Sequence, residues 1–151
     1  MLYFLDTSAL VKRYHVELGS PMVIGLFDDP VNYLAICSLS LAETLAVLVR
    51  RRRRAEISEE DFDTARFRVA LDISTERVGV IDVERRHILA AHDLILQHPL
   101  SGMDAVILAC ALDLTEDSPI FVCADVRSGL LRAAEACGLS TLNPLSPDPS
   151  H

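Results

Sequence analysis

Four carboxylates in this chain stand at positions from which carboxylates can do chemistry: Asp6 in LDTS, Glu43 in SLAE, Asp104 in GMDA and Asp125 in VCAD. Asp6 ends a short apolar run, Leu2–Leu5, and opens an apolar-periodic segment through Ala9, Leu10, Val11 and Tyr14. It therefore marks a strand-to-helix junction, with the hydroxyls of Thr7 and Ser8 beside it. Acids at such places have an ordinary task, because Asp, Ser and Thr cap helices and negative side chains gain from the helix dipole. Ser40-x-x-Glu43 has the form of a capping box, Ser101-x-x-Asp104 nearly so, and Asp6 and Asp125 could each cap a helix. Convergence separates the two roles. Two carboxylates about 6 Å apart repel by roughly 3 kcal/mol at an effective dielectric near 20. Four in one pocket need a cation or raised pKa values. A hard, oxygen-preferring divalent ion, Mg²⁺ or Mn²⁺, meets that need. Such a centre suits phosphodiester hydrolysis, in which the ion activates water and offsets charge on the leaving oxygen.

The elements that must position these acids follow from the hydrophobic pattern. Strands are predicted at 2–5, 31–37, 77–83, 119–123 and 140–142, and helices at 9–14, 22–27, 38–54, 58–73, 84–98, 103–114 and 125–137. Gly19-Ser20-Pro21 marks the start of the second helix, with Pro21 suited to its first turn. The helices 38–54 and 58–73 form a hairpin that could project from the sheet. Strands alternating with helices imply a parallel sheet covered on both faces, with the strand C-termini on one edge. Asp6, Glu43 and Asp125 fall at that edge, where ligands bind in open α/β sheets. Asp104 opens the second of two helices within one crossover, so topology alone does not place it.

The length of 151 residues suits one domain. It is divided here into a core domain, 1–143, and a Pro-rich, flexible tail, 144–151. A formal charge of −8, from 22 acids against 14 Lys and Arg, argues against broad non-specific binding to nucleic acid or anionic membrane but leaves room for a local basic patch. Apolar runs stop well short of the ~20 residues that span a bilayer, and the N-terminus lacks a basic region ahead of its short apolar run, so neither a membrane span nor a signal peptide is expected. Cys37, Cys110, Cys123 and Cys137 form no C-x-x-C pair and read as small core residues of a cytoplasmic protein.

LDTSALVKRY, SLAE before a long helix, MDAVILACAL, and FVCADVRSGLLRAAEACGLSTLNP run in this order through nearly the whole chain. Together they resemble the PIN-domain ribonucleases, and among them the VapC toxins of toxin–antitoxin pairs. The resemblance implies a three-layer α/β/α fold with a central, mostly parallel five-stranded sheet, and it brings Asp104 into the pocket with Asp6, Glu43 and Asp125. It implies Mg²⁺- or Mn²⁺-dependent cleavage of RNA, inhibition by a VapB-like antitoxin, and a homodimer. In the expected assignment Asp6, Asp104 and Asp125 hold metal, and Glu43 joins them or acts as general base. Thr7 and Ser8 orient the carboxylates through hydroxyl bonds. Many relatives carry a basic residue just before the third acid, where this chain has Ser101-Gly102.

Other candidates carry less. Arg50 through Arg54 hold five of the 14 cations. They lie seven to eleven residues beyond Glu43, roughly 10–16 Å along a helix, and point all round its axis. A solvated helix end ranks first for them, an acidic partner or distal RNA second, and catalysis last. Lys12 and Arg13, one to two turns after Asp6, could touch an RNA backbone, but surface solvation ranks ahead of that for both. None of the five histidines has ligand spacing to the acids. A dehalogenase-like phosphatase would need Asp where Ser8 stands, and no G-x-G-x-x-G follows any strand. A catalytically silent PIN-like binding module is the alternative from another class.

Overall fold

The computed structural model describes residues 1–146, so the predicted tail lies outside the described residues from position 147 onward. Five strands, β1 (Leu2–Leu5), β2 (Tyr33–Cys37), β3 (Gly79–Ile81), β4 (Ile120–Val122) and β5 (Ser140–Leu142), form one sheet in the order β3-β2-β1-β4-β5. Every neighbouring pair is parallel, with Phe4 opposite Ala35 on one side and Phe121 on the other.

Alternation along the strands divides the core. Tyr3, Leu5, Leu34, Ile36 and Val122 face one side, under α1 (Thr7–Tyr14), α2 (Ser20–Asp28), α3 (Ser38–Arg53) and α4 (Glu59–Ser74). Phe4, Ala35, Cys37, Phe121 and Cys123 face the other, under α5 (Arg85–Gln97), α6 (Gly102–Leu112) and α7 (Leu130–Ala136). The rings of Phe4 and Phe121 stack with centroids 5.9 Å apart. This is the three-layer α/β/α architecture expected. The hairpin α3/α4 stands beside α1 and contributes Leu48, Phe62 and Ala65 to the core. Helix α6 is buried from Ala105 to Ala111, which explains its unbroken apolar sequence. All four cysteines are free thiols.

Several predicted boundaries shift for identifiable reasons. β2 starts at Tyr33 rather than 31, because the Val31 amide donates to the Asp29 side chain at 3.0 Å. β3 is shorter than 77–83. Arg77 sends its guanidinium to the carbonyls of Leu26, Phe27, Asp29 and Asn32, and Val83 N–H donates to Ser38 Oγ. α3 begins directly at Ser38, with Cys37 as its N-cap. The Ser40 capping box is therefore a misreading: Ser40 already lies inside the helix, its hydroxyl is buried without a partner, and Glu43 falls in the second turn. The Ser101 cap is real, with its Oγ accepting from Asp104 N–H at 3.1 Å.

α7 begins at Leu130, not 125. Asp125 Oδ1 accepts from the amides of Arg127 (2.8 Å) and Ser128 (3.3 Å), which holds this stretch as a turn, and Gly129 enters the helix with φ 77°. On the other end of the same face, α5 and α6 are tied by His87. Its Nδ1 accepts from Glu84 N–H at 2.8 Å, so Nε2 carries the proton and donates to Asp113 Oδ2 at 2.7 Å. Arg86 Nε donates to the same oxygen at 2.9 Å.

Candidate active site

In this strand order the chain leaves β1 on one side for β2 and β3, then returns to its other side for β4. The carboxyl ends of β1 and β4 flank the point of reversal, where a crevice opens. Asp6 follows β1 and Asp125 follows β4. Asp6 N–H donates to Val122 O at 2.9 Å, fastening the two strand ends together. A cavity of about 620 Å³ lies here, and Asp6, Glu43, Asp104 and Asp125 all line it. The four acids thus come from four separate elements to one place, Asp104 included.

Asp6 is the most buried of them, at 4% exposure. It is both a helix cap and a cavity wall. Its Oδ2 accepts from Ser8 N–H (3.0 Å), Ser8 Oγ (2.6 Å) and the Cys123 thiol (3.4 Å). Burial pushes its carboxyl above the ordinary range, against those hydrogen bonds, which pull the other way. Burial also raises the Cys123 thiol, and the nearby Asp6 charge adds to that, so Cys123 stays protonated and can donate.

The two hydroxyls predicted to orient the acids touch them. Thr7 Oγ1 donates to Glu43 Oε2 at 2.7 Å. Ser8 Oγ donates to Asp6 while accepting the amides of Ala124 (2.9 Å) and Asp125 (3.1 Å). One hydroxyl thereby joins the β1 end to the β4 end. The acids keep capacity to spare: among the described residues Asp125 Oδ2 and the Asp104 carboxylate accept no hydrogen bond.

The same cavity holds residues that sequence reasoning placed elsewhere. Lys12, read as a surface cation, is 6% exposed and donates to Glu17 Oε1 at 2.9 Å. Arg51 Nη2 donates to Glu17 Oε2 at 2.7 Å. The solvated-end reading of the arginine run therefore fails for Arg51, which lines the cavity, and for Arg52, which lies 4.3 Å over the Phe62 ring. It misjudged the reach of a long side chain back along the helix. Glu17 was missed entirely. Its only signal was its place five residues past Lys12, just beyond the end of α1. Arg13 points away, to Asp72, Asp28 and the Phe27 ring.

The residues fit a hard divalent cation by donor type and charge. Five carboxylates and three cations, Lys12, Arg51 and Arg127, line the cavity, leaving a net charge of −2 with the charged forms counted. Asp6 has no cation within ion-pair distance among the described residues. The carboxylates share a cavity without closing on a point: among the described residues no three His, Cys, Asp or Glu side chains stand together as a ready ligand set. Side-chain rotation about the free oxygens would be needed to gather them.

An open parallel α/β sheet with acids converging at its reversal point defines the class. The profile of the PIN domain family matches residues 3–136, and the chain belongs to that family. No curated protein matches it. Among solved structures, VapBC2 from Rickettsia felis bound to a DNA fragment from its promoter is similar at TM-score 0.62 and 19% identity, covering 95% of this chain and 98% of that one. VapBC-1 from nontypeable Haemophilus influenzae gives 0.60 and 18%, covering 97% and 100%. FitAcB from Neisseria gonorrhoeae gives 0.61 and 15%, covering 95% and 98%. At these identities the likeness is one of fold.

Proposed function

We propose that this PIN-domain chain is a divalent-metal-dependent endoribonuclease, the toxin of a toxin–antitoxin pair whose VapB-like antitoxin inhibits it. The observation that carries the reading is the convergence of Asp6, Glu43, Asp104 and Asp125, from four elements, on one cavity. Membership of the PIN family supports a nuclease. The solved neighbours named as VapBC pairs support the antitoxin partner, and the homodimer is proposed from the family resemblance alone. Mg²⁺ or Mn²⁺ would be held by these four acids, and when bound it supplies charge for phosphate orientation and water activation.

The protein groups divide the remaining work. Asp6, Asp104 and Asp125 hold the ion, and Glu43 completes the set or accepts the proton of the attacking water. Thr7 fixes the aim of Glu43 through its 2.7 Å bond, and Ser8 sets Asp6 and Asp125 relative to each other. The runner-up, a silent PIN-like module, draws on the absence of a ready three-residue ligand set among the described residues. Incubating a pool of structured RNAs with the antitoxin-free protein in Mg²⁺, Mn²⁺ or EDTA, beside Asp6→Asn, separates the two. Cleavage that requires metal and vanishes in the variant supports the nuclease. Metal binding without cleavage of any RNA favours the silent module. Cleavage retained in a folded Asp6→Asn protein overturns the site assignment.

A further inference from the structure

The Lys12–Glu17–Arg51 cluster brings two of the three cations that line the acidic cavity onto one carboxylate, and the roles above leave it unused. We infer that it is a subsite for a backbone phosphate of the RNA neighbouring the scissile one, with Lys12 and Arg51 as the contacts and Glu17 as their positioning residue. This rests on the nuclease reading.

Three observations support it. First, the carboxylate of Glu17 is bidentate across two cations, one oxygen to Lys12 Nζ and the other to Arg51 Nη2. That arrangement holds both cations at the spacing of two oxygens on one tetrahedral or planar anion, the geometry by which phosphate is read. Secondly, the cluster carries a net positive charge. Glu17 neutralises one cation and leaves the other to be matched. Thirdly, Arg51 Nη1 is shut off from solvent and has no hydrogen-bond partner among the described residues. Buried donors of this kind almost always find an acceptor. The guanidinium is held through Nη2 on Glu17, and an incoming phosphate oxygen would supply the acceptor that Nη1 lacks once the side chain turns toward the cavity it lines.

Placement agrees with a neighbouring phosphate. Lys12 starts six residues past Asp6, about 9 Å along the axis of α1, and among the described residues its Nζ is anchored on Glu17, beyond the end of that helix, and on none of the four catalytic acids. Two cations from different helices, α1 and α3, then fix the direction in which the strand leaves the catalytic acids. An extended substrate would be required, and a dinucleotide would lack the contact.

The test is affinity for a mixed-sequence, single-stranded 16-nucleotide RNA in EDTA across a salt series, with thermal melts as a folding control. Lys12→Gln and Arg51→Gln are each expected to weaken binding about 3- to 10-fold and to lower the slope of log affinity against log salt by about 0.7, the value for one phosphate contact on a single strand. Lys12→Arg should restore most of the loss. Glu17→Gln, which releases both cations from the spacing Glu17 sets, should weaken binding while leaving the salt slope unchanged, and Arg68→Gln, an exposed cation outside the cavity, should change nothing. Wild-type affinity and slope in folded Lys12→Gln and Arg51→Gln proteins would overturn the subsite, as would failure of the wild type to bind the RNA. So would variants that lose antitoxin binding while keeping RNA binding. Cluster-dependent RNA binding in a protein that cleaves nothing with metal would instead leave the subsite standing and defeat the nuclease reading.

Discussion

Thr7 Oγ1 and Glu43 Oε2 meet at 2.7 Å, joining the first residue of α1 to the second turn of α3 across 36 residues of sequence. Thr7 is buried and Glu43 half-buried, so the bond is shielded from competing water. It fixes the orientation of an acid carried by a helix and not by a strand end. Thr7→Val removes the donor at nearly constant shape. RNA cleavage should fall roughly 10- to 100-fold, the usual cost of losing a partner that orients a metal-site ligand. Thr7→Ser should recover most of the activity. Steady-state cleavage by the three proteins checks this, and equal rates for Val and wild type would reduce the contact to packing.

Asp6 is buried and has no cation within ion-pair distance among the described residues, and burial outweighs its hydrogen bonds, so its ionised form is disfavoured in the metal-free fold. Asp6→Asn keeps an acceptor for the Ser8 donors and removes the ionisable group. The variant should be more stable than wild type by about 1 kcal/mol in EDTA at neutral pH, a rise of about 2–4 °C in melting temperature for a chain of this size. Adding Mg²⁺ should stabilise the wild type more than the variant. Melting curves with and without metal read both effects.

Ser8 Oγ serves one carboxylate and two amides at once. Ser8→Ala orphans the Ala124 and Asp125 N–H groups at the strand end. The expected loss is about 1–3 kcal/mol, measurable by urea unfolding, with a drop in cleavage as Asp125 loses its anchor.

Arg77 should matter for stability alone. Its guanidinium caps the end of α2 by donating to four carbonyls, those of Leu26, Phe27, Asp29 and Asn32, far from the acids. Arg77→Met is expected to cost about 3 kcal/mol. RNA cleavage measured well below the new melting temperature should be unchanged.

Asp113 gives a pH signature. Partial burial alone would raise its carboxyl, but His87 and Arg86 outweigh that and hold it below its ordinary value of 3.8. A depressed acid contributes stability that is present above its unfolded value and is lost as the pH falls through the folded one. Wild type should therefore exceed Asp113→Asn in unfolding free energy at pH 6, and the gap should close below about pH 4. A gap that stays constant from pH 6 to 3 would show that the charge on Asp113 contributes nothing.

The sheet was legible because its strands are nearly continuous apolar runs, as strands covered on both faces must be. Asp6 and Asp125 were legible for the same reason, since each directly ends such a run. Asp104 was not, because two helices share its crossover and periodicity says nothing of how they turn. Ser40 misled because a capping box is a pattern of residue types, and the backbone had already entered the helix at Ser38. Lys12, Glu17 and Arg51 escaped notice because long side chains reach across helices. Their association depends on helix packing angles that no local pattern encodes.

Leu145 is part of the cavity wall, whereas Met1 lies at the opposite edge of the sheet with its ammonium donating to Val31 O. The two ends are therefore not equivalent for anyone handling the molecule. A purification handle fused ahead of Met1 would emerge away from the catalytic acids. The described chain ends one residue past Leu145, at the cavity wall, so a handle on that side is the one to remove before activity is read.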